Sequence, residues 1–129
     1  MKRGGIGLAG ALGFSAVALG AFGAHGLRGR LTPPLLEIYR TGALYHLIHA
    51  VAALAVVLGG DRLRRGGLIL GLFTTGVVVF SGSLYALALS GVSALGAVTP
   101  LGGLMLLAAW ALVAAEALPP RGPSRPPTT

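Results

Sequence analysis

Between Gly66 and Ala115 the chain runs for fifty residues without one Asp, Glu, Lys, Arg or His. One crossing of a bilayer needs about 20 apolar residues, so this stretch holds two crossings. No soluble domain of 129 residues could bury it. Charged residues are 10% of the chain and hydrophobic residues 54%, against roughly 25% charged in an ordinary soluble domain. Lipid must therefore be the solvent for most of the surface.

The run divides at Ser90-Gly91-Val92-Ser93-Ala94-Leu95-Gly96, whose small residues favour a turn. With two further apolar stretches, the expected spans are 4–24, 41–60, 68–90 and 100–118. Each is near 20 residues and lacks two-residue alternation, so helices are expected rather than barrel strands. Thr99 is expected to cap the fourth, with Pro100 at its first position. Before the second span, Thr32 and Pro33 signal the start of a short amphipathic helix that leads into it, with Glu37 and Arg40 spaced to pair. The expected fold is an all-α membrane protein, a four-transmembrane-helix bundle in a single domain over 1–118. A rival reading takes the first span as a secretory signal with a cleavage site at Ala16-Val17-Ala18. The tail, 119–129, has five prolines and is expected to be disordered.

The net charge is +7, but the basic residues sit at span ends and not in an aromatic-interleaved patch. That points to headgroups and orientation signals, and no nucleic-acid partner is expected. Lys2, Arg3, Arg62, Arg64, Arg65, Arg121 and Arg125 fall on one side of the four spans; Arg28, Arg30 and Arg40 fall on the other. The more basic side should be cytoplasmic, which places both termini inside. There are no cysteines, so disulfide exchange, thiolate catalysis and Cys-ligated metal sites are excluded.

Helices in lipid are held by close backbone approach and hydrogen bonds. Span one offers Gly5, Ala9, Gly13, Ala16, Gly20 and Gly23 on one face, with Phe14 and Phe22 pointing away. Span two offers Gly42, Tyr45, His46, His49, Ala53 and Val56, with Leu47, Val51, Leu54 and Leu58 toward lipid. On span three the expected seam is Gly67, Gly71, Thr74, Val78, Ser81 and Tyr85, with Ile69, Phe73, Phe80 and Leu87 opposite. Span four shows no clear face.

The three histidines lie toward one end of the bundle, His25 ending span one and His46 and His49 entering span two. The last two are roughly 7 and 12 Å below Thr41 at a rise of 1.5 Å per residue. Ionisable residues within a membrane are expensive and are functional candidates by default. The candidate polar cluster is His25, Thr41, Tyr45, His46, His49, Ser81 and Tyr85. Three readings compete: neutral imidazoles bridging helices, with Tyr45, Thr41 or Ser81 as partners; a haem or metal site; and a proton or solute path. No carboxylate or cysteine joins the histidines within span two, and an i,i+3 pair is poorly placed to ligate both faces of one haem. Glu116 marks the inner interface or serves as a relay acid. Trp110 and Tyr85 read as packing residues. There is no nucleophile with a base and orienting group, and no phosphate loop. No catalytic residue, cofactor or metal is assigned.

Four blocks nevertheless resemble a known family. They are Gly20-Ala21-Phe22-Gly23-Ala24-His25-Gly26-Leu27, Thr41-Gly42-Ala43-Leu44-Tyr45-His46-Leu47-Ile48-His49-Ala50, Phe80-Ser81-Gly82-Ser83-Leu84-Tyr85 and Leu95-Gly96-Ala97-Val98-Thr99-Pro100-Leu101-Gly102-Gly103. In this order they are similar to the YgdD-like family, also called the transmembrane protein 256 family or domain of unknown function 423. The resemblance implies a bacterial inner-membrane protein with mitochondrial relatives, several transmembrane helices and a first span that stays attached. It carries no settled activity. His25, Tyr45, His49, Ser81, Gly82, Pro100 and Gly103 match its motif positions.

The leading functional expectation is a non-enzymatic accessory or assembly subunit of a membrane complex, partnered by lipid and by another membrane protein or a second copy. The alternatives are a small transporter or channel lined by His and Tyr, and a haem- or metal-binding redox protein.

Overall fold

In the computed structural model, which describes residues 2–122, four helices are long and apolar enough to cross a membrane. Their α-helical parts are α1 (Lys2–Ala21), α2 (Pro33–Gly59), α3 (Gly66–Ser90) and α4 (Thr99–Ala115). A π-helical turn, Phe22–Gly26, extends α1, and short 3-10 turns at Gly60–Arg62 and Ser93–Ala97 link the later helices. Among the described residues there is no strand. Internal helical bonding is the solution lipid demands, since nothing outside can satisfy a backbone amide. The expected tail lies outside the described residues from 123 onward; Pro119–Gly122 have no regular structure.

The helix ends follow the turn chemistry of the sequence. Gly91 adopts the left-handed conformation at φ 71° and its N–H closes α3 on the carbonyl of Leu87 at 2.8 Å. Pro33 opens α2 and Pro100 opens α4. The hydroxyl caps do not form. Thr32 stands at the N-cap of α2 in extended backbone without a side-chain bond, and the cap position of α4 is Val98, one residue before the expected Thr99. Thr99 instead shares a 2.6 Å hydrogen bond with Ser83 on α3. A hydroxyl facing another membrane helix is better used across the interface than on its own first turn. Glu37 and Arg40 do not pair: the Thr41 hydroxyl bonds the Glu37 carbonyl at 3.0 Å, and the ion pair among the described residues is Arg64–Glu116. The amphipathic start of α2 is continuous with the span, burying Tyr39 while Glu37 and Arg40 stay exposed.

Helix α3 is central, packed heavily against both α2 and α4, and α1 lies on α2. The main core joins Ala9 and Leu12 of α1, Ala50 and Ala53 of α2, Ile69, Phe73 and Val77 of α3, and Leu106 and Ala109 of α4. The expected faces of α1 and α2 hold in large part. Gly5, Ala9, Ala16 and Gly23 are buried and Phe14 and Phe22 exposed; Gly42, His46, His49, Ala53 and Val56 are buried and Tyr45 is at the edge.

The seam expected on α3 is corrected in part: Ser81 is buried and Thr74 and Tyr85 half-buried, as expected. Gly67, Gly71 and Val78 face outward, while Ile69 and Phe73, expected in lipid, are almost wholly buried. A helix gripped from two sides needs a wide buried arc, and here large apolar groups fill it. Close approach comes from two other glycines. A Cβ on Gly102 would collide with the backbone of Phe80, and one on Gly76 would stand 2.7 Å from Leu106 Cδ2. Helix α4 buries Gly102, Leu106 and Ala109, a face the sequence did not reveal.

At the basic end, α3 and α4 cap each other. The backbone N–H groups of Arg64 and Arg65 donate to the Glu116 carboxylate at 2.8 and 3.1 Å. In return the Arg64 guanidinium donates to the Leu118 carbonyl at 2.8 Å. Glu116 thus satisfies the start of one helix while Arg64 satisfies the end of the other. The Arg64 N–H above all, with that of Arg65 and the Arg64 charge, holds the Glu116 carboxyl below its ordinary value, and together they outweigh the opposing effect of burial. A carboxyl lowered in the folded state stabilises above its unfolded value and loses that contribution as pH falls through its folded value. Glu116→Gln should therefore lower the unfolding midpoint in detergent at neutral pH. The difference from wild type should shrink once pH drops below the ordinary carboxyl value of 4.5; a difference independent of pH would refute the assignment.

Candidate functional site

The polar residues in the bundle form two separate groups. The first spans three helices. His46 Nδ1 lies 3.0 Å from the Tyr85 hydroxyl on α3, and Nε2 lies 3.1 Å from Ser15 Oγ on α1. Ser15 Oγ is also 2.9 Å from the Ala11 carbonyl, which can only accept. One arrangement leaves no donor idle: Tyr85 O–H donates to Nδ1, Nε2–H donates to Ser15, and Ser15 O–H donates to Ala11. His46 is then neutral with its proton on Nε2.

The second group joins α2 to α4. The Trp110 indole N–H donates to His49 Nε2 at 3.1 Å, and His49 Nδ1 stands 2.7 Å from the Tyr45 backbone carbonyl. Indole only donates and a carbonyl only accepts, so both roles are forced. His49 is neutral with its proton on Nδ1, the opposite tautomer to His46. The His49 ring also lies against Tyr45 and Phe73, at centroid distances of 5.9 and 5.6 Å.

The remaining members of the expected cluster are spread. Ser81 is buried and donates to the Gly42 carbonyl at 2.7 Å, tying α3 to α2 at a glycine. Thr41 bonds within its own helix. His25 is exposed in the π-helical turn and makes no side-chain hydrogen bond to the described residues, so it does not join the other histidines. The reason is its place on the turn: Gly23 is the residue that faces inward, and its missing Cβ admits the Tyr39 ring. The partners expected for the imidazoles, Thr41, Ser81 and the Tyr45 side chain, are replaced by Ser15, Tyr85 and Trp110.

Three contributors lay outside the expected cluster. Tyr39 is wholly buried and its hydroxyl donates to the Leu19 carbonyl at 2.6 Å, close to where α1 changes to π winding. Such a change displaces the regular ladder and leaves carbonyls open to other donors. Ser15 and Trp110 are the others. Only Tyr39 left a local trace, an aromatic on the inner stripe of an amphipathic helix start. Ser15 and Trp110 lie 31 and 61 residues from their histidines, beyond any periodicity signal.

Chemically, both imidazoles are occupied at both nitrogens and diverge toward different helices. Among the described residues no three His, Asp or Glu side chains come together as a metal site would need. No buried side-chain nitrogen or oxygen among them lacks a partner. The arrangement binds helices to one another through neutral hydrogen bonds.

Comparison with known proteins gives the same picture of a membrane protein without an assigned activity. Residues 19–103 match the family model described as "Protein of unknown function (DUF423)". The chain is similar to the UPF0382 membrane protein YwdK of Bacillus subtilis, 42% identical over 106 residues, covering 80% of this chain and 86% of that one. It is similar to the UPF0382 inner membrane protein YgdD of Escherichia coli, 39% identical, covering 78% and 79%. A UPF0382 membrane protein of Haemophilus influenzae is 39% identical over 99 residues, covering 76% and 80%. No solved structure matches. With four apolar helices, the matched region from the end of α1 into α4 and these relatives in agreement, the chain belongs to the DUF423 family of membrane proteins.

Proposed function

We propose that the protein is a non-enzymatic accessory or assembly subunit of a larger complex in the bacterial inner membrane, with both termini cytoplasmic. One observation carries this reading: the polar side chains inside the bundle are consumed by each other, His46 by Ser15 and Tyr85, His49 by Trp110 and the Tyr45 carbonyl. Groups so engaged hold a scaffold together and leave no base or ligand set free for chemistry. A transport path would need imidazoles that can release their partners, and a redox centre would need donors that converge; the geometry supports neither as well. The bilayer-facing surface keeps small residues open to a partner helix, among them Gly10 and Gly71, beside which a Cβ would meet nothing.

Purification at native expression in mild detergent should recover a stoichiometric membrane-protein partner. A lone monodisperse species would count against the proposal. Flux in liposomes that His49→Leu abolishes in a folded protein would establish the transport reading instead. Orientation rests on the seven basic residues of one side; reporters on the two termini should both register the cytoplasm, and opposite compartments would overturn that arrangement.

A further inference from the structure

Alongside the His49–Trp110 bond, a crevice of about 520 Å³ opens between α2 and α4. It runs from Pro100 to Trp110 along one face of α4, about 15 Å at the helical rise. It starts at the end of α4 away from the basic end and reaches past the middle of that helix. It opens sideways into lipid, since Leu104 and Leu107 on its rim are 62% and 67% exposed. Its volume lies within the range of small-molecule sites.

The walls define the occupant. Tyr45, His49, Phe80 and Trp110 present rings to the crevice. The Trp110 N–H is held by His49, whereas the Tyr45 hydroxyl, in a side chain 40% exposed, makes no hydrogen bond among the described residues. Gly103 creates the space: a Cβ there would reach only ordinary contact with the Phe80 ring, at 3.8 Å. The site thus offers an aromatic lining, one free phenolic donor and no formal charge. A saturated chain would gain nothing from the rings beyond ordinary burial. A flat, electron-poor ring bearing a carbonyl gains both stacking and a hydrogen bond. We propose that the crevice binds the ring and first isoprene units of a lipid-soluble quinone, its carbonyl accepting from Tyr45. The proposal goes beyond the accessory reading and stands without it.

Trp110 is the only tryptophan and lines the crevice, so it reports occupancy. The full chain in phosphatidylcholine nanodiscs is titrated with decylubiquinone. Quenching of Trp110 should saturate, Gly103→Leu should raise the half-saturating concentration about tenfold, and Tyr45→Phe about threefold to tenfold, the worth of one hydrogen bond. If Gly103→Leu fails to fold, Leu104→Phe narrows the crevice from its exposed rim and should weaken binding likewise. Unsaturable quenching that is equal in wild type and the crevice-filling variants would reflect collision in the bilayer and overturn the proposal. Equal displacement by hexadecane would assign the crevice to ordinary chains and overturn it too. None of these outcomes depends on whether a partner protein co-purifies.

Discussion

Replacing Gly102 with leucine is expected to release α4 from α3. The added Cβ alone would overlap the Phe80 backbone N–H and stand 2.7 Å from the Phe80 Cα. Backbone cannot swing aside as a side-chain tip can, so the helices must separate. In lipid there is little hydrophobic force to hold separated helices together, and the close contact is itself the attraction. Gly102→Ala should cost about 1–3 kcal/mol, the usual range for overpacking, and leucine more. The Ser83–Thr99 bond and the reciprocal Arg64–Glu116 caps, which join the same two helices, would be strained as α4 moves. Unfolding in rising dodecyl sulfate, followed by Trp110 emission, reads this directly because the reporter is on α4. Gly103→Ala is the control: its Cβ meets the Phe80 ring at 3.8 Å and should leave the midpoint within about 0.5 kcal/mol of wild type. A wild-type midpoint for Gly102→Leu would show that α3 and α4 do not cross as described.

The second large effect is expected at His46. Leucine in its place removes the centre of the Ser15–His46–Tyr85 chain. Ser15 keeps its backbone acceptor at Ala11, but Tyr85 is left with a hydroxyl and no partner, and a half-buried orphan costs about 1–3 kcal/mol. Tyr85→Phe removes the orphan. The double variant His46→Leu, Tyr85→Phe should accordingly be less damaged than the sum of the two single changes, by about 1 kcal/mol. His25→Leu should shift stability by less than about 0.5 kcal/mol, since that side chain is exposed and unbonded. Strict additivity in the His46–Tyr85 cycle would remove the bond from the account. Equal costs at His25 and His46 would mean that the three histidines do act as one cluster.

The α1 and α2 faces were legible because small and polar residues recur there at steps of three and four, and each helix meets the bundle mainly from one side. The α3 face was not. In water, apolar periodicity marks the inside; in lipid, inside and outside are both apolar, so Ile69 and Phe73 look no different from Phe14 in sequence. Yet the first two are buried, and Phe14 is 79% exposed. The Gly67 and Gly71 stripe misled because small residues permit close approach without requiring it. Gly102 and Gly76 meet their neighbours only because α3 and α4 happen to cross there.

Local sequence carried the solvent, the number of crossings and the presence of costly polar groups at membrane depth. These follow from local length and charge. The tertiary structure alone decided which polar group meets which. It sent His46 to Ser15 and Tyr85, turned His49 to Trp110, left His25 outside, and set Glu116 as a cap on the start of α3. The physical reason is that a hydrogen bond between helices is fixed by rotation and crossing, and those are set by contacts dozens of residues apart that no local pattern records.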